Sequence, residues 1–217
     1  MISILVPIYN GIEFLDECID SILQQTFKEY EIIIGVNGWE PNSDVFKTAL
    51  NKKSNNIFVL DLHYIKGKSN ALNEMIKFSN FEWISLLDVD DIWLPSKLNS
   101  QIEFTNNYDV IGTQCKYFGD RNDVPTLPLG DDINNFNFLI HNPIINSSCL
   151  LKKELCFWDP IHDGVEDYDL WLKLWKNKKK FYNVPSIQLL HRVHHTSQFN
   201  YGNHEKGIKM KSKYSNI

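Results

Sequence analysis

The chain has 217 residues, 43% of them hydrophobic and 23% charged, which is enough for one sizeable core and argues against disorder along most of its length. Its formal net charge of −5 gives no reason to expect nucleic acid as a partner. The four cysteines form no C-x-x-C pair, so they indicate neither a zinc cluster nor a disulfide framework. No apolar run approaches membrane-spanning length, and no leader-like segment follows Met1, so we expect a cytoplasmic protein.

Short β-branched runs alternate with amphipathic segments in the first third of the chain. This alternation predicts an α/β fold with a Rossmann-like, mostly parallel central sheet flanked by helices. The runs predict strands over residues 2–6, 31–36, 57–62 and 83–87. Apolar residues at helical spacing predict helices over about 14–23, 43–52 and 69–78.

The second half of the chain is less regular. It predicts a helix from Pro95 through about Phe104, strands over 110–114, 147–151 and 180–184, and a helix over 168–175. We assign one domain to residues 1–200. Residues 201–217 form a polar C-terminal tail, which we expect to be frayed.

Ligands of parallel α/β sheets bind beyond the carboxyl ends of the strands, so the residues that follow each predicted strand are the first candidates for a site. All of them should meet at one edge of the sheet. They are Pro7, Tyr9 and Asn10 after the first strand, Asn37 after the second, Gly67 beyond the third, and Asp88, Asp90 and Asp91 after the fourth.

Three carboxylates within four residues, Asp88 to Asp91, repel one another unless a cation or hydrogen-bond donors offset their charge. A divalent metal is the simplest solution, and oxygen ligands suit Mg²⁺ or Mn²⁺. Such an ion commonly joins a few protein carboxylates to substrate phosphates. The alternative interpretation is an Asp-rich turn that caps the helix after Pro95.

Several segments, in order, resemble the family 2 glycosyltransferases of the GT-A fold. They are Ser3 to Asn10, Ser21 to Phe27, Leu87 to Pro95, Val165 to Leu174, and Arg192 to His194. The third contains the D-x-D pair Asp88 and Asp90, the fourth resembles the family's acidic catalytic segment, and the last its closing Arg-x-His element. Together these segments span nearly the whole chain.

The resemblance implies a role for each matching residue. Pro7, Tyr9 and Asn10 lie beside the nucleotide, and Asp167 is the catalytic base, with Glu166 orienting the acceptor or a loop. Asp90 binds the metal directly, Asp88 holds the ribose or the metal's water shell, and His194 completes the coordination. The simpler interpretations are a surface histidine for His194 and an acidic helix N-terminus for Glu166 and Asp167.

Two positions depart from the family pattern. Asn37 stands where the family usually has a carboxylate that holds the base or ribose, although an amide also donates and accepts hydrogen bonds. Leu72 stands where an arginine commonly precedes Asn73, which removes a cation near the donor. Lys66 or Lys68 can compensate. These two departures bear on the nucleotide and the affinity for the donor more than on the fold or the reaction class.

The resemblance implies an inverting enzyme that moves a hexosyl or N-acetylhexosaminyl group from a nucleotide-diphosphate sugar, with UDP as the expected nucleotide. The partners are that donor and a hydroxyl acceptor on a glycan, glycoconjugate or protein, as in polysaccharide biosynthesis, with Mn²⁺ or Mg²⁺ as cofactor. One alternative is a catalytically impaired nucleotide- or glycan-binding relic of the same fold. Another is a metal-dependent nucleotidyltransferase, although no Gly-rich phosphate loop is present near the N-terminus.

Overall fold

An eight-stranded mixed sheet runs through the computed structural model, which describes residues 1–195 and 204–215. The strands are β1 (Ile2–Ile8), β2 (Tyr30–Asn37), β3 (Ile57–Leu62), β4 (Trp83–Leu86), β5 (Ile92–Trp93), β6 (Val110–Gly119), β7 (Leu150–Lys152) and β8 (Phe181–Val193). The α-helices of the described residues are α1 (Leu15–Leu23), α2 (Asp44–Leu50), α3 (Lys68–Phe78), α4 (Lys97–Ile102), α5 (Glu166–Lys176) and α6 (His204–Ser215).

The predicted parallel half of the sheet is confirmed. The sheet has the order β3-β2-β1-β4-β7-β6-β8-β5, and the pairs β3–β2, β2–β1 and β1–β4 are all parallel. Every residue of β1 and β2 is buried, as expected for central strands covered by helices on both faces. The carboxyl ends of β1, β2 and β4 therefore lie side by side at one edge.

Side-chain alternation along the strands divides the core into two layers. On one face, Ile4 and Ile32 pack in a cluster with Ile22 of α1. On the other, Leu5 and Ile33 pack in a cluster with residues of α3 and α5, including Leu72, Met75 and Trp171. The helices thus hold the sheet from both sides and direct their N-termini or preceding loops toward its carboxyl edge.

The C-terminal half contains two features that the sequence pattern did not predict. β8 continues nine residues beyond the predicted end at Val184, because a register shift against β6 accommodates Pro185 and Ser186. The short strand β5 pairs antiparallel with the far end of β8, Ile92 with Leu190. These pairings place the turn before β5, with its carboxylates, against the end of β8.

Two predictions for this half need correction. The strand predicted over 147–151 begins only at Leu150, because residues Asn146–Ser148 form a 3₁₀ turn. The tail predicted to be frayed is helical over the described residues 204–215. There, α6 buries Met210 and Tyr214, one helical turn apart on the same face, and the Tyr214 hydroxyl donates to Asp169 Oδ1 at 2.7 Å. The domain limit at residue 200 stays a prediction.

No helix within the described residues has the length and apolarity that a bilayer crossing requires.

The core contains one fully buried lysine. The ammonium of Lys97, in α4, donates to Ser85 Oγ at 2.8 Å and lies 3.8 Å from the centre of the Trp93 ring. No carboxylate pairs with Lys97 among the described residues. Burial lowers the pKa of Lys97 to about 7, because the charged form loses its hydration, although the neighbouring Cys149 thiol acts in the opposite direction.

We expect Lys97→Met to remove a pH-dependent term from the free energy of unfolding. Between the lowered folded pKa and the ordinary unfolded pKa the unfolded chain binds more protons, so this term stabilises the fold as pH rises. The stability advantage of the Lys97→Met variant over the wild type should therefore shrink by about 3 kcal/mol between about pH 7 and pH 9.5. Urea unfolding across this range measures it. Lys209→Met, on the exposed surface of α6, is the control, and a parallel pH dependence in all three proteins would contradict the prediction.

Candidate functional site

A cleft of about 1260 Å³ opens at the carboxyl edge of the parallel strands. Its lining contains every residue that the sequence analysis placed in a site except Asp91 and Asp167; Asp90 and Glu166, the neighbours of these two, do line it. The predicted residues in the lining are Pro7, Tyr9, Asn10, Asn37, Gly67, Asp88, Asp90, Glu166 and His194. The expectation that the strand ends converge is thus confirmed in space, while the role of each residue stays a prediction.

The end of the cleft formed by β1 and β2 is aromatic and amide-rich. Tyr9 follows β1, and Asn37 closes β2 beside it. Asn37 is buried and its Nδ2 donates to the Ile65 carbonyl at 3.5 Å. Within the described part of the chain, no group donates a hydrogen bond to Asn37 Oδ1. This end therefore presents an acceptor oxygen next to an aromatic ring.

Asp88 lies at the end of β4 and is held by groups from distant parts of the chain. Lys68 Nζ lies 2.5 Å from Asp88 Oδ1, and Asn146 Nδ2 lies 3.3 Å from Asp88 Oδ2. The Asp88 backbone N–H donates to Ser147 Oγ at 3.1 Å. Burial raises the pKa of Asp88, but the charge and hydrogen bond of Lys68 outweigh it, so the net pKa is lowered. Asp88 is therefore a fixed carboxylate.

Asp90 and His194 meet across the cleft. His194 Nε2 lies 3.1 Å from Asp90 Oδ2, and the Phe14 ring packs beside the imidazole with 5.5 Å between ring centres. Burial raises the pKa of Asp90, and the negative charges of Asp91 and Asp88 raise it further. Asp90 is thus the carboxylate of this turn whose charge is least compensated.

Asp91 holds the structure together and does not face the cleft, which its place in the acidic sequence turn did not indicate. It is buried, its Oδ1 accepts from the Arg192 backbone N–H at 2.8 Å, and its Oδ2 lies 3.0 Å from His191 Nδ1. Burial lowers the pKa of His191, but the charge of Asp91 outweighs that effect and the net pKa rises to about 9. Asp91 therefore ties the acidic turn to the end of β8.

Arg192, part of the predicted Arg-x-His element, points away from the cleft. Its Nε donates to the Asp90 carbonyl at 2.8 Å and its guanidinium pairs with Glu17 of α1. The same group stacks over Phe14 and Phe118 at 4.5 and 4.3 Å. Arg192 thus joins β8, α1 and the acidic turn.

The predicted acidic segment is the first turn of α5. Glu166 is buried, accepts from the Gly164 N–H at 2.6 Å and lies 3.6 Å from Lys68 Nζ. Asp167 is half-buried and accepts from Asn142 Nδ2 at 2.9 Å. Burial and the Glu166 charge raise the pKa of Asp167 to about 6, although Lys68 and Asn142 act in the opposite direction. This pKa suits a proton acceptor at neutral pH.

Lys68 joins the two acidic groups of the cleft. It begins α3 and lies between Asp88 and Glu166. Lys68 and Leu72 are four residues apart, so they share one face of α3, and the lysine cation lies one turn closer to the cleft than the arginine expected at position 72. Leu72 itself is fully buried in the core. Of the two lysines suggested as compensation, Lys68 is the one placed between these carboxylates.

The segment before α5 was not predicted to contribute, yet it borders the cleft. Asp163 Oδ1 accepts hydrogen bonds from the Ser69 N–H at 2.8 Å and from the Ser69 hydroxyl at 2.6 Å. It thus provides a partner for a backbone N–H in the first turn of α3, which has none within the helix. Asn73 holds the same segment through two hydrogen bonds with the Trp158 backbone, at 2.7 and 3.0 Å. From α6, Lys206 lines the cleft and donates to the Asp163 carbonyl at 3.0 Å. Because these contacts join residues that are far apart in the sequence, no local sequence pattern could have indicated them.

The residues predicted to hold a metal come together only in part. Asp90 and His194 are adjacent and present an oxygen and a nitrogen to the cleft, a donor set that suits Mn²⁺. Asp88 instead pairs with Lys68. A cation would also relieve the repulsion between Asp90 and its acidic neighbours. Asp90 and His194 therefore suit the expected ion as direct ligands, whereas Asp88 would act on it indirectly.

A different acidic cluster is not a metal site of this kind. Within the described ranges, Asp159, His162 and Asp169 are the group of three whose ligand atoms all lie within 4.8 Å of one another. The Lys213 ammonium of α6 already lies 3.4 Å from His162, 3.7 Å from Asp169 and 3.9 Å from Asp159. The lysine cation supplies the charge that an ion would bring, so this cluster is an ion-pair network joining α6 to α5.

A second cavity, of about 750 Å³, lies where β6 and β8 begin. It is lined by amide, lysine and aromatic side chains and by Asp131, and none of the predicted site residues is in its lining.

Comparisons with known proteins identify relatives of this chain in sequence and in fold. The sequence profile described as glycosyl transferase family 2 matches residues 3–155. The chain is 29% identical over 201 residues to the Escherichia coli UDP-Glc:alpha-D-GlcNAc-diphosphoundecaprenol beta-1,3-glucosyltransferase WfaP, covering 89% of this chain and 78% of WfaP. It spans 62% of the length of two other curated relatives, both uncharacterized glycosyltransferases of Rickettsia.

Two solved structures share the fold at low sequence identity. The Staphylococcus aureus TarS 1–349 structure in complex with UDP has a TM-score of 0.72 and 17% identity, covering 98% of this chain and 64% of TarS 1–349. The Pyrobaculum calidifontis mannosyltransferase PcManGT, in complex with GDP-Man and Mn²⁺, has a TM-score of 0.68 and 14% identity, covering 92% of this chain and 59% of PcManGT.

The contacts of the acidic turn predict unequal effects on stability for two neighbouring aspartates. Asp91→Ala should lower the free energy of unfolding by about 3–5 kcal/mol, because it removes the buried carboxylate that His191 and the Arg192 N–H both bind. Asp90→Ala should change it by less than about 1 kcal/mol, since that carboxylate is destabilised by its acidic neighbours. Urea unfolding at pH 7 measures both. Equal losses in the two variants would contradict this division.

Proposed function

This chain belongs to glycosyl transferase family 2 and has the GT-A fold, and from that premise we propose that it transfers a hexosyl or N-acetylhexosaminyl group from a UDP-sugar to a hydroxyl acceptor, with inversion at the anomeric carbon. The observation that supports this most is the position of Lys68, between Asp88 of the D-x-D pair and Glu166 of the acidic segment. Because of this position, the carboxylates proposed to bind the sugar donor and those proposed to act on the acceptor face the same part of the cleft.

The base end of the cleft supports uridine as the nucleoside. Because Asn37 Nδ2 donates to the Ile65 carbonyl, its Oδ1 is left as the acceptor for an imide N–H such as that of uracil. Asn37 thus offers the acceptor that the family carboxylate would provide. WfaP is named as a transferase that uses UDP-Glc, and the TarS structure is a complex with UDP, which supports UDP here as well, whereas PcManGT holds GDP-Man.

We propose Mn²⁺ or Mg²⁺ as cofactor, held by Asp90 and His194, with Asp88 holding the ribose or the ion's water shell. When bound, such an ion supplies positive charge that stabilises the departing diphosphate. The chain's own Lys68 adds a cation on the same side of the cleft. The Mn²⁺ in the PcManGT complex supports this assignment.

Asp167 is proposed as the general base. It takes the proton of the acceptor hydroxyl as that oxygen attacks the anomeric carbon, and its pKa of about 6 leaves it ionised, yet basic enough to accept a proton, at neutral pH. Asn142 orients the carboxylate through its amide. Glu166, bonded to the Gly164 N–H, fixes the turn that carries Asp167. A general base is proposed, but no enzyme nucleophile that would form a covalent sugar intermediate. The proposed reaction is therefore a single displacement, which inverts the anomeric carbon.

The acceptor is proposed to be a glycan or glycoconjugate, with a protein as a further possibility. WfaP is named for an acceptor in which a sugar is linked through diphosphate to undecaprenol. This chain spans only part of the length of these relatives. The acceptor of the whole protein is therefore proposed here by similarity to WfaP.

UDP binding should require a divalent ion. Calorimetry with Mn²⁺ should show UDP affinity at least about tenfold higher than in EDTA, because diphosphate and the Asp88–Asp90 carboxylates otherwise repel each other. Asp90→Ala and His194→Ala should abolish the difference, and His195→Ala, an exposed neighbour outside the cleft lining, should retain it. Undiminished UDP affinity in EDTA would remove the metal from the proposal.

Asp167→Asn should lower kcat by about 10²- to 10⁴-fold with unchanged UDP affinity, because the amide cannot accept the proton. In wild type, kcat should fall as pH drops through about 6, where Asp167 becomes protonated. Asn142→Ala removes a hydrogen bond that lowers this pKa, so it should move the acid limb to higher pH. The exposed Asn135→Ala should leave the limb unchanged.

The product of the same assay tests the stereochemistry. An α-linked UDP-sugar should give a β-linked product, read from the anomeric coupling in proton NMR. An α product, or near-normal turnover by Asp167→Asn, would overturn this mechanism. UDP binding without transfer or donor hydrolysis across a panel of sugars would favour the non-catalytic relic instead.

A further inference from the structure

Trp39 is an exposed aromatic side chain in an unusual position. It follows Gly38, whose left-handed conformation (φ 76°) turns the chain just after β2. The side chain lines the cleft with 39% of its surface exposed. The chain has six tryptophans, all within the described residues, and the other five are buried or half-buried. Neither the sequence motifs nor the proposed mechanism assigns Trp39 a role.

The ring of Trp39 is held in place although it is exposed. Its Nε1–H donates to the Tyr9 carbonyl at 2.5 Å, which uses the one polar group of the indole. The Tyr9 ring, 56% exposed, lies with its centre 6.0 Å from that of Trp39 and at 39° to it. A Cβ at Gly38 would come within 3.1 Å of the Tyr9 ring, so the glycine permits this packing. The two rings form a preorganised apolar corner.

The distance to the carboxylates indicates which part of a donor this corner fits. Trp39 follows β2, and Asp88 and Asp90 follow β4, with β1 between them. Two strand spacings amount to about 10 Å. A nucleoside diphosphate can span that gap, with its base beyond β2, its ribose over β1 and its diphosphate beside β4. The corner therefore lies at the base end and not at the sugar end.

We propose that Trp39 is a nucleobase-binding residue, on whose ring the planar base of the donor stacks, with Tyr9 forming the adjoining wall; this rests on the proposed use of a nucleotide donor. Stacking on an aromatic face is available to any base. At 6.0 Å and 39° the two rings leave no room for a base between them, so the base lies against the corner and is not sandwiched. Trp39 thus contributes affinity, while Asn37 Oδ1 reads the edge of the base.

Calorimetry with three probes tests the proposal: uridine, UDP with Mn²⁺, and inorganic pyrophosphate with Mn²⁺. Trp39→Ala should weaken uridine and UDP by the same factor, about tenfold, and leave pyrophosphate unchanged. Trp39→Phe should recover most of the loss. Phe78→Ala is the matched control, since Phe78 is 50% exposed and lies at the far end of α3, about 15 Å along the helix from Lys68. In wild type, UDP should also quench the tryptophan fluorescence, and Trp39→Phe should lose that quenching.

Unchanged UDP affinity in Trp39→Ala would overturn the role of Trp39 while leaving the proposed transferase intact. An equal loss for pyrophosphate would also overturn it, because Trp39 would then act by holding the Tyr9 segment and not by contact with the base. If wild type binds neither uridine nor UDP, the proposed function fails first, and the inference fails with it. If uridine binds too weakly to measure in wild type, the comparison of UDP with pyrophosphate decides alone.

Discussion

The crowding of negative charge at the end of β4 is the constraint on which this structure depends. Asp88, Asp90 and Asp91 lie within four consecutive positions, and each meets a nitrogen from a different part of the chain: Lys68 from α3, His194 beyond β8, and His191 from β8. The fold therefore compensates these carboxylates largely from within. Asp90, whose pKa burial and its acidic neighbours raise, is the one left for an ion to stabilise.

This compensation requires three distant segments to end at the same edge of the sheet. Helix α3 must begin beside Asp88, β8 must extend far enough to bring His191 to Asp91, and the chain must then carry His194 to Asp90. The short pairing of β5 with β8 makes the last two contacts possible. The length of β8 is thus part of the architecture of the site.

The cleft is divided along the order of the strands, and this division separates the proposed base-binding end from the charged centre where the proposed reaction takes place. An aromatic and amide surface lies beyond β1 and β2, the charged centre lies beyond β4, and the acidic turn of α5 faces it through Lys68. Helix α6 contributes from outside, since Tyr214 binds Asp169 on α5 and Lys206 binds the Asp163 carbonyl in the segment before α5. The C-terminal residues that were expected to be frayed therefore support the helix that carries Asp167.

The sequence by itself determined the parallel half of the sheet and the set of residues at its carboxyl edge, because hydrophobic periodicity and strand-end position are local properties. It did not predict β5, the full length of β8 or α6, since these depend on pairing with distant partners that override weak local patterns. Only the tertiary structure decided that Asp91 holds β8 while Asp90 faces His194, and that Lys68 lies between Asp88 and Glu166. The reason is physical: adjacent carboxylates are alike in sequence, and the cations that distinguish them come from other parts of the chain.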